Sequence, residues 1–462
     1  MKIKIVSLLL IFTLLLTSCG YIEESEVDAV ATIANNVYWR YKADVATATE
    51  IPATPTSIPT IAPTLVPTLV PTLIPTSIPT LVPTLIPTLV PPATSTLVPS
   101  STQTLVPTAT LTSVPTNTLI PPIPTNTSTS TAVAGTFHVY PGQSLRTAIN
   151  SLVSGNTLYV HGGTYTETLN ISKTNITIIG LDNPIIKQRN VGVWGVLLNL
   201  TGSYITMSGF EVTDSDYMGV KLAGHHIVVS GFNVHHNYEN GILITGDNNI
   251  VENSKVWQNC YSNLNGSRTR GGWSSGLSAA RYPNNAIIRN NEVYNNWGEG
   301  LSTYEANGTL IEGNRVYDNY VNMYISDVTN AIIKDNQIWI PTNPVVKVGA
   351  RVGIMMGDEK YNPPSSNIQI LNNTVTGTHR NFYWWQGLSG GGLVNVLIKG
   401  NTFSESAGTT NVQINSGTHA NLVFEGNTVK QTGILPIAII VNCSQITFKG
   451  NTWNKVAPCP EI

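Results

Sequence analysis

From about residue 176 to the C-terminus, apolar and polar residues alternate in runs too short for helices, and the runs recur. Each apolar run closes on a small or amide-bearing dipeptide: Gly209-Phe210, Gly231-Phe232, Asn253-Ser254, Asn290-Asn291, Gly313-Asn314, Asp335-Asn336, Asn372-Asn373, Gly400-Asn401, Gly426-Asn427 and Gly450-Asn451. Measured on the second residue of each, the steps are 22, 22, 37, 23, 22, 37, 28, 26 and 24 residues. A unit of about 22 residues made of short strands predicts a solenoid, because one unit alone cannot bury its apolar face. Two positions after each anchor stand Val212, Val234, Val256, Val293, Val316, Ile338, Val375, Phe403, Val429 and Trp453. That column is predicted to point inward, each side chain stacking on its equivalent one coil below. Five positions after the anchor stand Asn237, Asn259, Asn296 and Asn319. Asparagine tolerates left-handed backbone at a tight turn, and stacked amides can hydrogen-bond along the axis. These asparagines are read as scaffold.

Ahead of the repeats, "TFHVYPGQSLRTAINSLVSGNTLYVHGGTYTETL" opens the folded region near Thr136. It predicts a strand, a turn at Pro141-Gly142, and a short helix over 144–152 with Leu145, Ala148, Ile149 and Leu152 on one face. Gly155 can stop that helix, and a strand follows over 157–160. One amphipathic helix before a long all-strand region suits a lid on the open end of a sheet stack.

The 22-residue coils, the Gly-Asn anchors, the asparagine ladder and the opening "PGQSLRTAINSLVSGNTLYVHGGTY" resemble the right-handed parallel β-helix proteins of the pectate lyase-like superfamily, over 136–462. The resemblance implies an all-β fold with a short N-terminal capping helix. It implies no single activity, because that superfamily holds polysaccharide lyases, glycoside hydrolases, epimerases and inert adhesins.

The two 37-residue coils carry extra residues near 261–275 and 341–352, both leaving the solenoid from the same turn column. Three rungs separate them, about 14 Å. Such insertions collect on one face, often the binding face. The first brings Arg268, Arg270 and Trp273; the second brings Lys347 and Arg351. The following strand carries Arg281 in one coil, Tyr304 and Glu305 in the next, then Asp327, then Asp358 with Glu359. The expectation is a groove walled by the loops and floored by Arg281, Glu305, Asp327 and Asp358, with Trp297 and Tyr304 offering ring faces to sugars. A uronate lyase must neutralise the substrate carboxylate and remove the proton alpha to it; Arg281 or Lys334 could be the base, and the acids could hold Ca²⁺. A glycosidase needs two carboxylates, for which Asp327 with Glu305 or Asp358 are the candidates. A non-catalytic carbohydrate-binding or adhesion module is the third reading. The polygalacturonase, mannuronan epimerase and pectate lyase sequence motifs are not found. The pairs His225-His226 and His235-His236 suggest metal ligands, but neighbours on a strand point to opposite faces, so no chelate is expected.

The first residues add a location. Lys2 and Lys4 precede a short apolar run closing on Leu16-Thr17-Ser18-Cys19, too short to span a bilayer permanently. It resembles a bacterial lipobox, which implies a signal over 1–18 and a lipidated Cys19. A tether segment (19–51) and a Pro/Thr-rich stalk (52–135) follow, with proline at every fourth position from 59 to 91. That spacing favours polyproline II, and about 70 such residues reach on the order of 200 Å. The expected protein is an exported, membrane-anchored lipoprotein at the cell surface, a monomer whose partner is an extracellular polysaccharide. With 11% charged residues and a net charge of −2, nucleic acid is not an expected partner. Cys443 and Cys459 could form a bridge in an oxidising compartment, while Cys260 reads as a small buried hydrophobe.

Overall fold

The computed structural model describes residues 135–192, 195–266, 273–347, 349–359, 365–385 and 391–462. The signal, Cys19 and the stalk lie outside the described residues, as do Arg268 and Arg270. The chain winds through three parallel sheets in turn. Sheet I has 13 strands, from Thr136–Val139 to Ile446–Lys449. Sheet II has 12, from Thr164–Tyr165 to Thr452–Trp453, and sheet III has 11, from Leu169–Ile171 to Ala438–Ile440. Each strand pairs in parallel with its equivalent one coil away, as Ile287–Arg289 with Leu310–Glu312 in sheet I and Glu292–Tyr294 with Arg315–Tyr317 in sheet II.

The anchor dipeptides form the turn from sheet I to sheet II, and their two positions do different work. The first residue is left-handed in every coil: Gly209, Gly231, Asn253, Asn290, Gly313, Asp335, Asn372, Gly400, Gly426 and Gly450 have φ between 52° and 78°. Only Gly, Asn and Asp take that conformation at low cost, which explains the composition there. Gly313 is further constrained, since a Cβ on it would lie 2.7 Å from Asn290 Oδ1.

The second residue turns inward and carries an amide ladder. Oδ1 of Asn314 accepts from the backbone N–H (2.9 Å) and from Nδ2 (3.1 Å) of Asn291, and Asn336, Asn373, Asn401, Asn427 and Asn451 repeat this down the axis. The expected ladder of Asn237, Asn259, Asn296 and Asn319 forms a second such column at the turn from sheet II to sheet III. Here the left-handed residue is the preceding one (His236, Gln258, Asn295, Asp318), so the buried asparagine supplies hydrogen bonds rather than the turn conformation.

Between the ladders the predicted inward column is buried from Val212 to Val429, and Trp453 packs half-buried at the end. Phe382, Phe403, Phe424 and Phe448 continue the core with ring centroids 5.6–6.1 Å apart. Both ends are closed. Helix α1 (Leu145–Ser151) buries Leu145 and Ile149, and Glu167 accepts the N–H groups of Leu145 (2.8 Å) and Arg146 (3.0 Å) at its first turn. At the other end, the ladder's last donors meet a carboxylate: Glu461 accepts from Asn451 N (3.1 Å) and Trp453 Nε1 (2.6 Å). The tail bearing it is joined by a disulfide between Cys443 and Cys459, whose Cα atoms are 5.7 Å apart.

The two anchor positions should respond differently to substitution. Asn314→Ala strands two donors of Asn291 and is expected to cost on the order of 2–4 kcal/mol, read as a lower urea midpoint. Asn290→Gly, at φ 56°, is expected to stay within about 1 kcal/mol of wild type.

Candidate functional site

The outer face of sheet III is the floor of the site. Its strands Ser275–Ala280, Glu299–Tyr304 and Val321–Ser326 are six residues long, about 20 Å each, where sheet II strands have two or three. In register along the outer face stand Lys221, Leu243, Ser278, Ser302, Tyr324 and Met355. A hydroxyl chain crosses it: Ser275 Oγ donates to Glu299 Oε2 (2.9 Å), and Ser302 Oγ bridges Ser275 (2.8 Å) and Ser278 (2.9 Å).

Ala280, Tyr304, Ser326 and Gly357 are aligned at the far end of this sheet, so the next residues, Arg281, Glu305, Asp327 and Asp358, fall in one axial column. Arg281, Glu305 and Asp327 are left-handed, with φ of 68°, 50° and 53°. At the other turns this conformation is mostly given to Gly, Asn or Asp, so Arg281 and Glu305 hold a backbone that costs more for their residue types. Around them gather side chains that the sequence reading passed over. Tyr282 donates to Glu305 Oε1 (3.0 Å), and Tyr324 donates to Glu359 Oε1 (2.7 Å). Asp327 Oδ2 accepts from Ser326 Oγ (2.7 Å) and from Glu359 N–H (2.9 Å). Burial, then Glu359, Glu305 and Asp327 beside it, pushes the Tyr304 phenol well above the ordinary tyrosine range. Burial, then Glu359 and Glu299, does the same to Tyr324. Both are therefore neutral hydrogen-bond donors at any working pH. Lys221 moves the other way: burial, then Arg281 nearby, lowers its pKa.

The two inserted loops stand at the opposite edge, where sheet II turns into sheet III. The first begins as a 3₁₀ turn, Tyr261–Gly266, tied by Ser262 N–H to Tyr238 O (2.8 Å). Trp273 at its end packs on Tyr320 with centroids 4.5 Å apart. Gly349 of the second loop lies so close to the same ring that a Cβ there would collide with it, and Arg351 N–H donates to Tyr320 O (2.7 Å). The loops thus meet over Tyr320. Trp297, half-buried one coil earlier on this turn, is at the loop edge, while Tyr304 is at the column edge. The arrangement differs from expectation: the outer face of sheet III lies between the loop turn at one edge and the Arg281 column at the other.

Two candidates are engaged otherwise. Asp358 is fully buried, and its oxygens accept the N–H groups of Ser365 (2.8 Å) and Gly392 (3.0 Å), so it fastens two chain segments together; burial raises its pKa. Lys334 ends a sheet I strand and pairs with Glu312 at 3.2 Å, on another face. The histidine pairs are also placed differently from expectation. His226 and His236 are left-handed turn residues, so neither pair is an alternating strand pair, and His235 and His236 touch. Among the described residues no three His, Cys, Asp or Glu side chains converge as a metal site, and no step below passes through Ca²⁺. On sheet II, Trp257, Tyr294, Tyr317 and Trp339 stack with interplanar angles of 3°, 5° and 18°. Their faces are spent on one another, which leaves mainly edges for a sugar.

Residues 124–331 match the family model described as Pel9A-like, right handed beta helix region. The chain is a right-handed parallel β-helix. The matched stretch includes the coils bearing Lys221, Arg281, Glu305 and Asp327 and ends before Asp358. Among solved structures, the chain is similar to pectate lyase Pel9A, at 17% identity over 71% of this chain and 82% of that one, TM-score 0.49. It is similar also to the A-module of mannuronan C-5 epimerase AlgE6 from Azotobacter vinelandii (16% identity, 68% and 94% coverage, TM-score 0.49). A third is PfbA, a surface adhesin of Streptococcus pneumoniae (11%, 66% and 85%, TM-score 0.48). No curated protein sequence matches the chain.

Tyr304 and Tyr324 should ionise after the exposed tyrosines in an ultraviolet pH titration, and Tyr324→Phe should remove one late-titrating phenol. Because their folded pKa values are raised, the unfolded chain releases these protons first. Stability should therefore fall as pH rises past the ordinary tyrosine range, and less steeply in Tyr324→Phe.

Proposed function

We propose that the outer face of sheet III binds an extracellular acidic polysaccharide and that the chain cleaves it by β-elimination, as a polysaccharide lyase. The observation that carries this reading is that Lys221, on the outer face of sheet III, lies within electrostatic reach of Arg281 in the column that borders it. Elimination needs a cation against the uronate carboxylate, so that the proton alpha to it becomes acidic, and a base to take that proton. Arg281 suits the first role, since a guanidinium stays charged and can pair with a carboxylate through two N–H groups. Lys221 suits the second, because burial and Arg281 favour its neutral, basic form. The neutral Tyr304 phenol can donate to the leaving glycosidic oxygen. The matched β-helix region is named for Pel9A, a pectate lyase, which agrees with this chemistry.

Glycoside hydrolysis is the second reading, favoured by Glu305 and Asp327 standing on adjacent rungs, about 4.8 Å apart. Trp273 and Arg351 stand at the loop edge under either reading, where they would hold the polymer rather than react with it. We propose further that Cys19 is lipidated and that the Pro/Thr stalk carries the β-helix away from the membrane, at the cell surface.

Incubation of the chain with a panel of polyuronates is expected to produce the ultraviolet absorbance of an unsaturated uronate. Arg281→Ala and Lys221→Met are each expected to lower the rate by about 10²-fold or more. The wild-type rate should rise with pH as Lys221 loses its proton below the usual lysine range, a limb that Lys221→Arg loses. New reducing ends without the absorbance would point to hydrolysis, and binding without either product would point to a non-catalytic module.

A further inference from the structure

Beyond Tyr320 the loop edge of sheet III gathers positive charge that the proposed chemistry does not use. Arg351 N–H donates to Tyr320 O (2.7 Å), His379 N–H to Arg351 O (3.0 Å), and Thr409 N–H to His379 O (2.9 Å). Tyr320, Arg351, His379 and Thr409 therefore stand one above another, a rung of about 4.8 Å apart. Arg380 follows His379 and opens the strand Arg380–Trp384, whose Tyr383 continues the outer row of Tyr324 and Met355. Burial, then Arg351, then Arg380, lowers the His379 pKa, so both guanidiniums lie within reach of one imidazole.

Arg380 is held in one pose by neutral groups. Its Nε donates to Gln413 Oε1 (2.6 Å), and its guanidinium lies over the Tyr383 ring, 4.7 Å from the centroid. Gln413 is oriented in turn, its Nε2 donating to Asn415 Oδ1 (2.8 Å). One guanidinium N–H is thus spent on an amide, and the two Nη groups remain for a ligand. Fixing a long side chain costs conformational entropy, and here no charge is neutralised in return. Arginines on the other faces are used differently: Arg289 pairs with Glu252 (2.6 Å) and Arg315 with Glu292 (3.4 Å). Among the described residues no carboxylate pairs with Arg380. Asp318, the acid beside Arg351, is buried and spends Oδ2 on the Val345 N–H, while Arg351 Nε is buried without a hydrogen-bond partner. Next to this cluster Met355 and Tyr383 pack half-buried against Tyr324 and Val352, an apolar surface that suits a sugar ring.

We propose that Arg380 binds the carboxylate of a second uronate, in a subsite at the loop edge that a distant unit of the same polymer occupies. The inference rests on the reading of sheet III as the polyuronate face and adds a substrate requirement to it. Ala280, Tyr304, Ser326, Gly357 and Trp385 are level across five successive strands, so Arg281 and Arg380 are four rungs apart. They also stand at opposite edges of the sheet. About 19 Å along the axis and a similar distance across put them on the order of 25 Å apart. Only an extended chain of several sugar units reaches both, and both of the units engaged must keep a free carboxylate. The selected substrate is therefore a long, unesterified polyuronate rather than a short oligomer or a methyl-esterified chain. The subsite lies beyond the stretch 124–331 that matches the β-helix family model.

The test reads binding without turnover: calorimetric titration of the full Lys221→Met chain with oligogalacturonates and oligomannuronates of graded length. Affinity is expected to step up by about tenfold or more once an oligomer is long enough to reach both arginines, the gain of one charge-assisted carboxylate pair. Adding Arg380→Gln should abolish that step and leave the affinity for shorter oligomers in place. Arg380→Lys keeps the charge but not the paired N–H groups, and should shrink the step. Methyl-esterified oligomers should show no step at all. A step that survives Arg380→Gln, a step with esterified oligomers, or a loss at every length alike would each overturn the subsite. Arg281→Ala separates this outcome from the lyase reading. If it spares binding while Arg380→Gln removes the step, the role of Arg281 fails and the subsite stands. The reverse pattern sinks the subsite and keeps the reading, and no binding of either series would overturn both.

Discussion

The structure depends on one repeated constraint: at the turn from sheet I to sheet II, a left-handed residue is followed by an inward one, which from Asn291 onward is a buried amide. The left-handed residue reverses the chain in a single step. The amide answers the backbone N–H of the coil before it, a donor that the turn would otherwise bury unpaired. Each ladder bond is worth only about 1 kcal/mol net, but leaving one unmade costs more, so the column behaves as a unit. A ladder in which every side chain donates toward the C-terminus also ends with its last donors unmet. Glu461 meets them at Asn451, and the tail carrying it is pinned by the Cys443–Cys459 bridge.

That constraint is why the fold was legible. The left-handed position allows few residue types, and the ladder position few others, so the dipeptide recurs with little variation and its spacing gives the coil length. The inward column from Val212 to Trp453 followed from the same register. The second ladder was legible in position, while the division of labour between His236 and Asn237, or Asn295 and Asn296, was not. Turn conformation there is carried by His236 and Gln258 as well as by Asn295 and Asp318, so residue type does not mark the position. The same blindness affected the histidine pairs, since strand alternation predicts opposite faces only where the strand continues.

The site was legible in part. Arg281, Glu305, Asp327 and Asp358 do fall in one column, because each is the first residue after an aligned strand. Sequence could not show that Asp358 turns inward to hold chain segments, since that depends on the backbone N–H groups of Ser365 and Gly392. Nor could it place Lys334, whose sheet is fixed by its position within the coil rather than by its charge. Lys221, Tyr282 and Tyr324 went unnoticed for a related reason. Lys221 and Tyr324 come from ordinary strand positions in coils without insertions, and Tyr282 from the turn beside Arg281, so only the stacking of sheet III brings them together. Loops interrupt a repeat and draw attention, whereas the floor they enclose keeps the repeat's pattern.

The account holds that sheet III binds a uronate with its carboxylate on Arg281 and its alpha proton toward Lys221. The most direct measurement is a crystal structure of the Lys221→Met chain with a uronate oligosaccharide. The oligosaccharide should lie across the outer face of sheet III, between Tyr320 and Glu305, with one carboxylate paired to the Arg281 guanidinium. Density for the sugar on the aromatic stack of sheet II, or on sheet III with no carboxylate at Arg281, would contradict the account.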